Sequence, residues 1–109
     1  MSRVAGKVCV VTGAGSGIGR ALALELAARG ARGLAISDVN ADGLAETARM
    51  LRDGAPVEVH EQTLDVSDRE AMEAYAQAVA GHFGVVHQIY NNAGIAFSRL
   101  VEESTYEDY

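Results

Sequence analysis

A chain of 109 residues suffices for one domain or part of one, and 49% hydrophobic with 22% charged residues marks a folded globular chain rather than a disordered one. The formal net charge of -6 makes free nucleic acid and anionic membrane surfaces poor partners, because both repel the chain on average. The single cysteine, Cys9, has no partner for an internal disulfide and lies in an apolar run, so a buried thiol and a reducing compartment are expected.

In chain order, Val8-Cys9-Val10-Val11 is a continuous apolar, β-branched run, the pattern of a strand buried on both faces of a parallel sheet. A glycine-dense turn follows. Ile18, Leu22 and Leu26 then recur at helical spacing, with Ala21 and Ala28 beside them and Gly30 as a stop. Gly33-Leu34-Ala35-Ile36-Ser37 reads as a second buried strand ending at Asp38. Asn40 is placed to cap a second helix that carries Leu44, Ala48 and Leu51 on one face, and Gly54 and Pro56 break it. Val57, Val59 and Leu64 mark a third strand ending near Asp65. Ser67-Asp68-Arg69-Glu70 has the form of a capping box, opening a third helix with Met72, Tyr75, Val79 and Phe83. Val85 to Tyr90 is a fourth strand, and Asn91-Asn92-Ala93-Gly94 is the turn after it.

This βαβαβαβ order with short connections predicts an α/β fold, the first half of a Rossmann-like doubly wound parallel sheet with helices on both faces. No internal repeat or linker interrupts it, so residues 1–109 are expected to form a single nucleotide-binding domain. Ser104-Thr105-Tyr106-Glu107 is a second capping box, yet the chain stops at Tyr109. A helix start without its helix leads to the expectation that the domain is cut short at its C-terminus. No apolar stretch has the length of a membrane span. The first seven residues hold two bases but no long apolar segment ending in a cleavage site. No signal peptide is therefore read, and a cytoplasmic location is expected.

The chemistry concentrates in Thr12-Gly13-Ala14-Gly15-Ser16-Gly17-Ile18-Gly19, between the first strand and the first helix. Glycines let the backbone turn sharply and approach a pyrophosphate, while the helix N-terminus offers free N–H groups and a positive dipole end. Asp38, about 20 residues on and at the end of the second strand, is the acid expected to accept hydrogen bonds from the adenosine ribose hydroxyls and to repel a 2′-phosphate. Val39 and Asn40 follow it rather than a base, and Ser16 fills a turn position where a base could meet that phosphate. These residues argue for NAD over NADP. The same carboxylate could also cap a helix. Asp65 could be a solvated strand-end acid, and Asn91 and Asn92 simple turn residues.

The glycine spacing is neither G-x-G-x-x-G nor a Walker loop, since no Gly-Lys-Ser/Thr occurs. Its T-G-x-x-x-G-x-G pattern resembles the short-chain dehydrogenase/reductase family, in its non-extended branch; the extended branch would place glycine at Ser16. The resemblance covers nearly the whole chain. It implies that Asp38 is the nucleotide-selecting acid, and that Asp65-Val66 is the acid-apolar pair that contacts adenine. Asn91-Asn92-Ala93-Gly94 is then the segment that braces the sheet and lines the cofactor cleft. The cofactor-binding set so implied is Gly13, Gly15, Ser16, Gly17, Ile18, Gly19, Asp38, Asp65, Val66, Asn91, Ala93 and Gly94.

The family's catalytic groups find no place here. The resemblance calls for a tyrosine with a lysine four residues later, a carbonyl-orienting serine and a relay asparagine. The only lysine is Lys7, and Tyr75 and Tyr90 are followed at that distance by Val79 and Gly94. No catalytic residue is assigned, and no metal-ligand spacing occurs. His60, His82 and His87 are scattered and read as structural or solvated. The activity implied is hydride transfer between NAD and a small alcohol or ketone, in a parent protein expected to be a homo-oligomer. Two other readings stand beside it. Gly13-Ala14-Gly15-Ser16-Gly17 also fits the G-x-G-x-G loop of an S-adenosylmethionine-dependent methyltransferase, although Val11 and Thr12 stand where that class carries an acid. A non-catalytic nucleotide-binding module is the other.

Overall fold

The computed structural model describes residues 3–92. The elements are β1 (Val8–Thr12), α1 (Gly17–Ala28), β2 (Gly33–Asp38), α2 (Ala41–Gly54), β3 (Glu58–Thr63), α3 (Arg69–Phe83) and β4 (Gln88–Asn91). The four strands form one parallel sheet in the order β3-β2-β1-β4, the doubly wound arrangement expected from the sequence. Its register aligns the carboxyl ends. Thr12 pairs with Ser37 on one side and Asn91 on the other, and Asp38 pairs with Thr63. The strand ends and the turns that leave them therefore share one edge of the sheet, with the reversal of strand order between β1 and its two neighbours.

Both faces are covered, and the pleat sorts the side chains. Cys9, Val11, Leu34 and Ile36 face α1 and α2, packing with Ala23, Leu26, Leu44, Ala48 and Leu51. Val8, Val10 and Ala35 face α3, packing with Met72, Tyr75, Val79 and Phe83. Burial on two faces is why β1 and β2 read as unbroken apolar runs rather than alternating ones. Cys9 is fully buried, and burial pushes its thiol pKa up to about 12, so it is a core residue held protonated.

Four local expectations shift. The buried face of α1 is Gly19, Ala23, Leu26 and Ala27, while Ile18 is 76% exposed and Ala21 and Ala28 also face outward. Leu26 is buried where its spacing puts it and Leu22 packs at the margin of the same core, but the rest of the face that meets the sheet is Gly19, Ala23 and Ala27, so Ile18 and the flanking alanines misstate its orientation. The cap of α3 is Asp68, whose carboxylate accepts from the Ala71 N–H at 3.1 Å; Ser67 instead donates its hydroxyl to Asp65. The regular part of β4 starts at Gln88 rather than Val85, although Val86 is buried in the α3-side core. In β3 the strand proper is Glu58–Thr63, with Val57 and Leu64 buried just beyond its ends. The expected Asn40 cap on α2 is present, its side chain accepting from the Gly43 N–H at 3.0 Å.

Candidate functional site

At the carboxyl edge of the sheet, the turn from β1 into α1 runs through Gly13 and Gly17, with φ of 66° and 55°. These are left-handed values that residues with a Cβ rarely adopt. A Cβ at Gly17 would project into open space. At Gly19 the constraint is packing: a Cβ there would overlap the Gly13 carbonyl oxygen and lie 2.7 Å from its carbon. This glycine is what lets α1 begin directly against the turn.

The turn's polar backbone groups are fixed from behind. Ala14 donates its N–H to Ser37 O at 2.9 Å, and its carbonyl accepts from the buried Thr47 hydroxyl at 2.7 Å. Gly15 donates its N–H to Asp38 Oδ2 at 2.8 Å, and its carbonyl accepts from Arg20 Nη2 at 2.7 Å. Arg20 also donates to Gly43 O at 3.0 Å and, through Nε, to Thr47 Oγ1 at 2.8 Å. Asn92 Nδ2 reaches Gly13 O at 3.3 Å, and Thr12 donates its hydroxyl to Asn91 Oδ1 at 3.0 Å. The carbonyls of Gly13, Ala14 and Gly15 are thus turned into the protein.

The other side of the turn presents α1. Its N-cap, Ser16, makes no side-chain cap hydrogen bond, and the first turn holds no acid, whereas α2 and α3 have carbonyl or carboxylate caps and Asp42 or Glu70 in their first turns. The leading N–H groups of a helix have no acceptor within it and carry the positive end of its dipole. That end suits an anion, and Ser16, Gly17 and Ile18 expose it.

Asp38 stands beside this end. Its two oxygens accept from the N–H groups of Gly15 and, at 3.0 Å, Asn40. A carboxylate has about four acceptor positions, so capacity remains for hydroxyl donors. Val39, 64% exposed, follows it at the rim. The segment after β3 comes to the same edge, since the Leu64 N–H donates to Asp38 O at 2.9 Å. Asp65 is exposed there, its carboxyl pKa lowered by the hydroxyl and N–H of Ser67, and Val66 is half-buried against the α3-side core.

Of the site residues read from the sequence, Gly13, Gly15, Ser16, Gly17, Ile18, Gly19, Asp38 and Asn91 gather at this edge, with Asp65 and Val66 at its β3 side. Ala93 and Gly94 lie outside the described residues, as does the second capping box. The sequence reading missed Arg20 and Thr47. An arginine on the first turn of a helix looks like a solvated charge until α2 is folded against it. The histidines have structural partners: His87 Nδ1 accepts from the Val8 N–H at 2.9 Å, His82 pairs with Glu58, and the His60 ring lies 5.2 Å from that of His82. Among the described residues, no cluster suits a metal ion and no helix is long and apolar enough to cross a membrane.

Comparison with known proteins accords with this geometry. The short chain dehydrogenase family model matches residues 7–109. A putative oxidoreductase, SadH of Mycobacterium tuberculosis, is 56% identical over 108 residues, covering 99% of this chain and 38% of its own length. The chain thus spans well under half of that relative. Among solved structures, a short chain dehydrogenase/reductase from Burkholderia phymatum in complex with NAD is similar at TM-score 0.73 and 42% identity, over 82% of this chain and 31% of that one. L-sorbose reductase from Gluconobacter frateurii, complexed with NADPH and L-sorbose, is similar at TM-score 0.77 and 39% identity, over 83% of this chain and 34% of that one. With its strand order, its glycine turn and these matches taken together, the chain belongs to the short-chain dehydrogenase/reductase family.

Proposed function

We propose that this chain holds the adenosine and pyrophosphate of NAD in preference to NADP, in a protein that transfers a hydride between that cofactor and a small alcohol/ketone pair. The observation that carries the reading is the Asp38 carboxylate, fixed by two backbone N–H groups beside an uncapped helix end. The open space at Gly17 fits a phosphate approaching that helix end. A ribose with free 2′- and 3′-hydroxyls supplies donors that Asp38 accepts, while a 2′-phosphate meets its negative charge. Arg20, which touches the turn, directs Nε and Nη2 to Thr47, Gly15 and Gly43, into the α2 side of the turn. Relatives of the two kinds exist, one solved with NAD and one with NADPH. The selection therefore rests on this chain's own residues.

The nicotinamide ring of the cofactor supplies the hydride chemistry. The residues of this chain bind and orient the opposite end of the molecule. Gly13, Gly17 and the start of α1 take the pyrophosphate; Asp38 takes the ribose; Asp65, Val66 and Val39 border the adenine. No residue of this chain is assigned the proton transfer. Family membership disfavours both the methyltransferase and the non-catalytic module. Calorimetric titration of the full-length protein with NAD and NADP tests the proposal. Tighter NAD binding, with the preference narrowed in Asp38→Ala, is expected. Equal or tighter binding of NADP would overturn it.

A further inference from the structure

Gly15 has no conformational need to be glycine. It is absent from the glycines with positive φ, which are Gly6, Gly13, Gly17, Gly30 and Gly84. Its space is what is restricted. A Cβ at residue 15 would lie 2.9 Å from both Cγ and Oδ2 of Asp38, and 3.2 Å from its Cβ. Those are the atoms whose oxygen accepts the Gly15 N–H at 2.8 Å. The carboxylate occupies the volume a side chain would need.

Relief of that overlap falls on Asp38. The carbonyl of Gly15 is held by Arg20 at 2.7 Å, and it sits so close to α2 that a Cβ on Gly43 would be 2.5 Å from it. Arg20 is itself tied to Gly43 and Thr47. The Gly15 peptide is pinned by Arg20 and by its approach to α2, whereas the Asp38 carboxylate is held by two hydrogen bonds, to the N–H groups of Gly15 and Asn40, that a rotation can exchange. We propose that Gly15 is a specificity-determining partner of Asp38: its N–H orients the carboxylate, its missing side chain makes room for it, and residue 15 decides with residue 38 whether a 2′-hydroxyl or a 2′-phosphate is accepted. The inference rests on the reading of Asp38 as the ribose acceptor.

The test uses the full-length protein and two probes that lack nicotinamide, 5′-AMP and adenosine 2′,5′-bisphosphate. In Gly15→Ala the preference for 5′-AMP is expected to fall about tenfold, the scale of one hydrogen bond to a charged group. In an Asp38→Ala background the same change is expected to leave the remaining ratio unaltered, because the group it acts through is gone. A purely structural role for Gly15 would weaken both probes equally in both backgrounds, and that result overturns the proposal. So does a Gly15→Ala protein that keeps the wild-type ratio. A wild-type protein indifferent to the 2′-phosphate refutes instead the reading of Asp38. Circular dichroism of Gly15→Ala is expected to match wild type, since the atoms nearest the added Cβ all belong to the Asp38 side chain, and the two closest, Cγ and Oδ2, can move by rotation.

Discussion

Replacing Arg20 by methionine removes a side chain that, together with Thr47, joins the glycine turn to α2. The guanidinium makes hydrogen bonds of 2.7, 3.0 and 2.8 Å to Gly15 O, Gly43 O and Thr47 Oγ1. Hydrogen bonds to charged groups contribute about 1.5–3 kcal/mol each when buried, and Arg20 is only half-buried. Water can take over part of what is lost, and methionine retains the packing of the aliphatic stem. A net loss of about 2–3 kcal/mol is expected, well short of the sum of three buried bonds. Urea unfolding of the full-length protein, with the m-value checked for constancy, measures it. Arg20→Lys keeps the charge but not the planar fork, and is expected to recover at most half of the loss. NAD affinity should fall together with stability, because Gly15 and Gly43 are then free to separate. A loss under about 0.5 kcal/mol, the range of ordinary surface substitutions, would refute the view that this arginine holds the turn.

Three other perturbations read separate parts of the structure. Gly19→Ala places a Cβ against backbone atoms of Gly13 and Ala14 that cannot rotate aside, so a cost above about 2 kcal/mol is expected in the same unfolding assay. Gly17→Val adds a Cβ with no atom of the described residues within 4 Å, so its φ of 55° strains the turn locally while the sheet should stay formed by circular dichroism and NAD binding by calorimetry should be abolished; retained affinity would place the pyrophosphate elsewhere. The His60 pKa is held below 6.5 by burial and by the neighbouring His82. The folded state therefore favours neutral His60, and the unfolded chain takes up the proton first as pH falls below 6.5, so this contribution to stability is lost on acidification. With Glu58, His82 and Tyr75 retained, His60→Phe should show a smaller fall in urea midpoint between neutral and acidic pH than wild type does; an equal fall rejects the assignment.

The sheet was legible because buried parallel strands leave a strong signature: Val8-Cys9-Val10-Val11 and Leu34-Ala35-Ile36 have no polar residue to place. The α2 and α3 faces were legible for a related reason, as Leu44, Ala48 and Leu51, and Met72, Tyr75, Val79 and Phe83, are each buried where their spacing put them. The α1 face was legible only in Leu26 and Leu22, because the rest of it is Gly19, Ala23 and Ala27, residues that carry little hydrophobic signal. Cap positions slipped where two candidates adjoined: Ser67 and Asp68 both qualify, and only the path of the chain selects Asp68. At the site, glycine spacing and Asp38 were visible as a local motif. Arg20, Thr47 and Gly43 were invisible because their meaning depends on two helices meeting far apart in sequence.

The strand order also bears on when the nucleotide crevice comes into being. β1 finds β2 after a short crossover, but its other neighbour arrives 79 residues later, as the Thr12–Asn91 and Gly13–Asn92 bonds record. Closing so long a loop carries a larger entropic cost than joining adjacent units, and contacts of high sequence separation form slowly. During synthesis the βαβαβ portion leaves the ribosome with Asp38 and the glycine turn already adjacent, while one wall of the crevice is still missing. On the proposed reading, the residues that take the pyrophosphate, ribose and adenine are assembled before the β4 wall closes beside them, and a nucleotide bound there would stabilise the folded sheet by mass action.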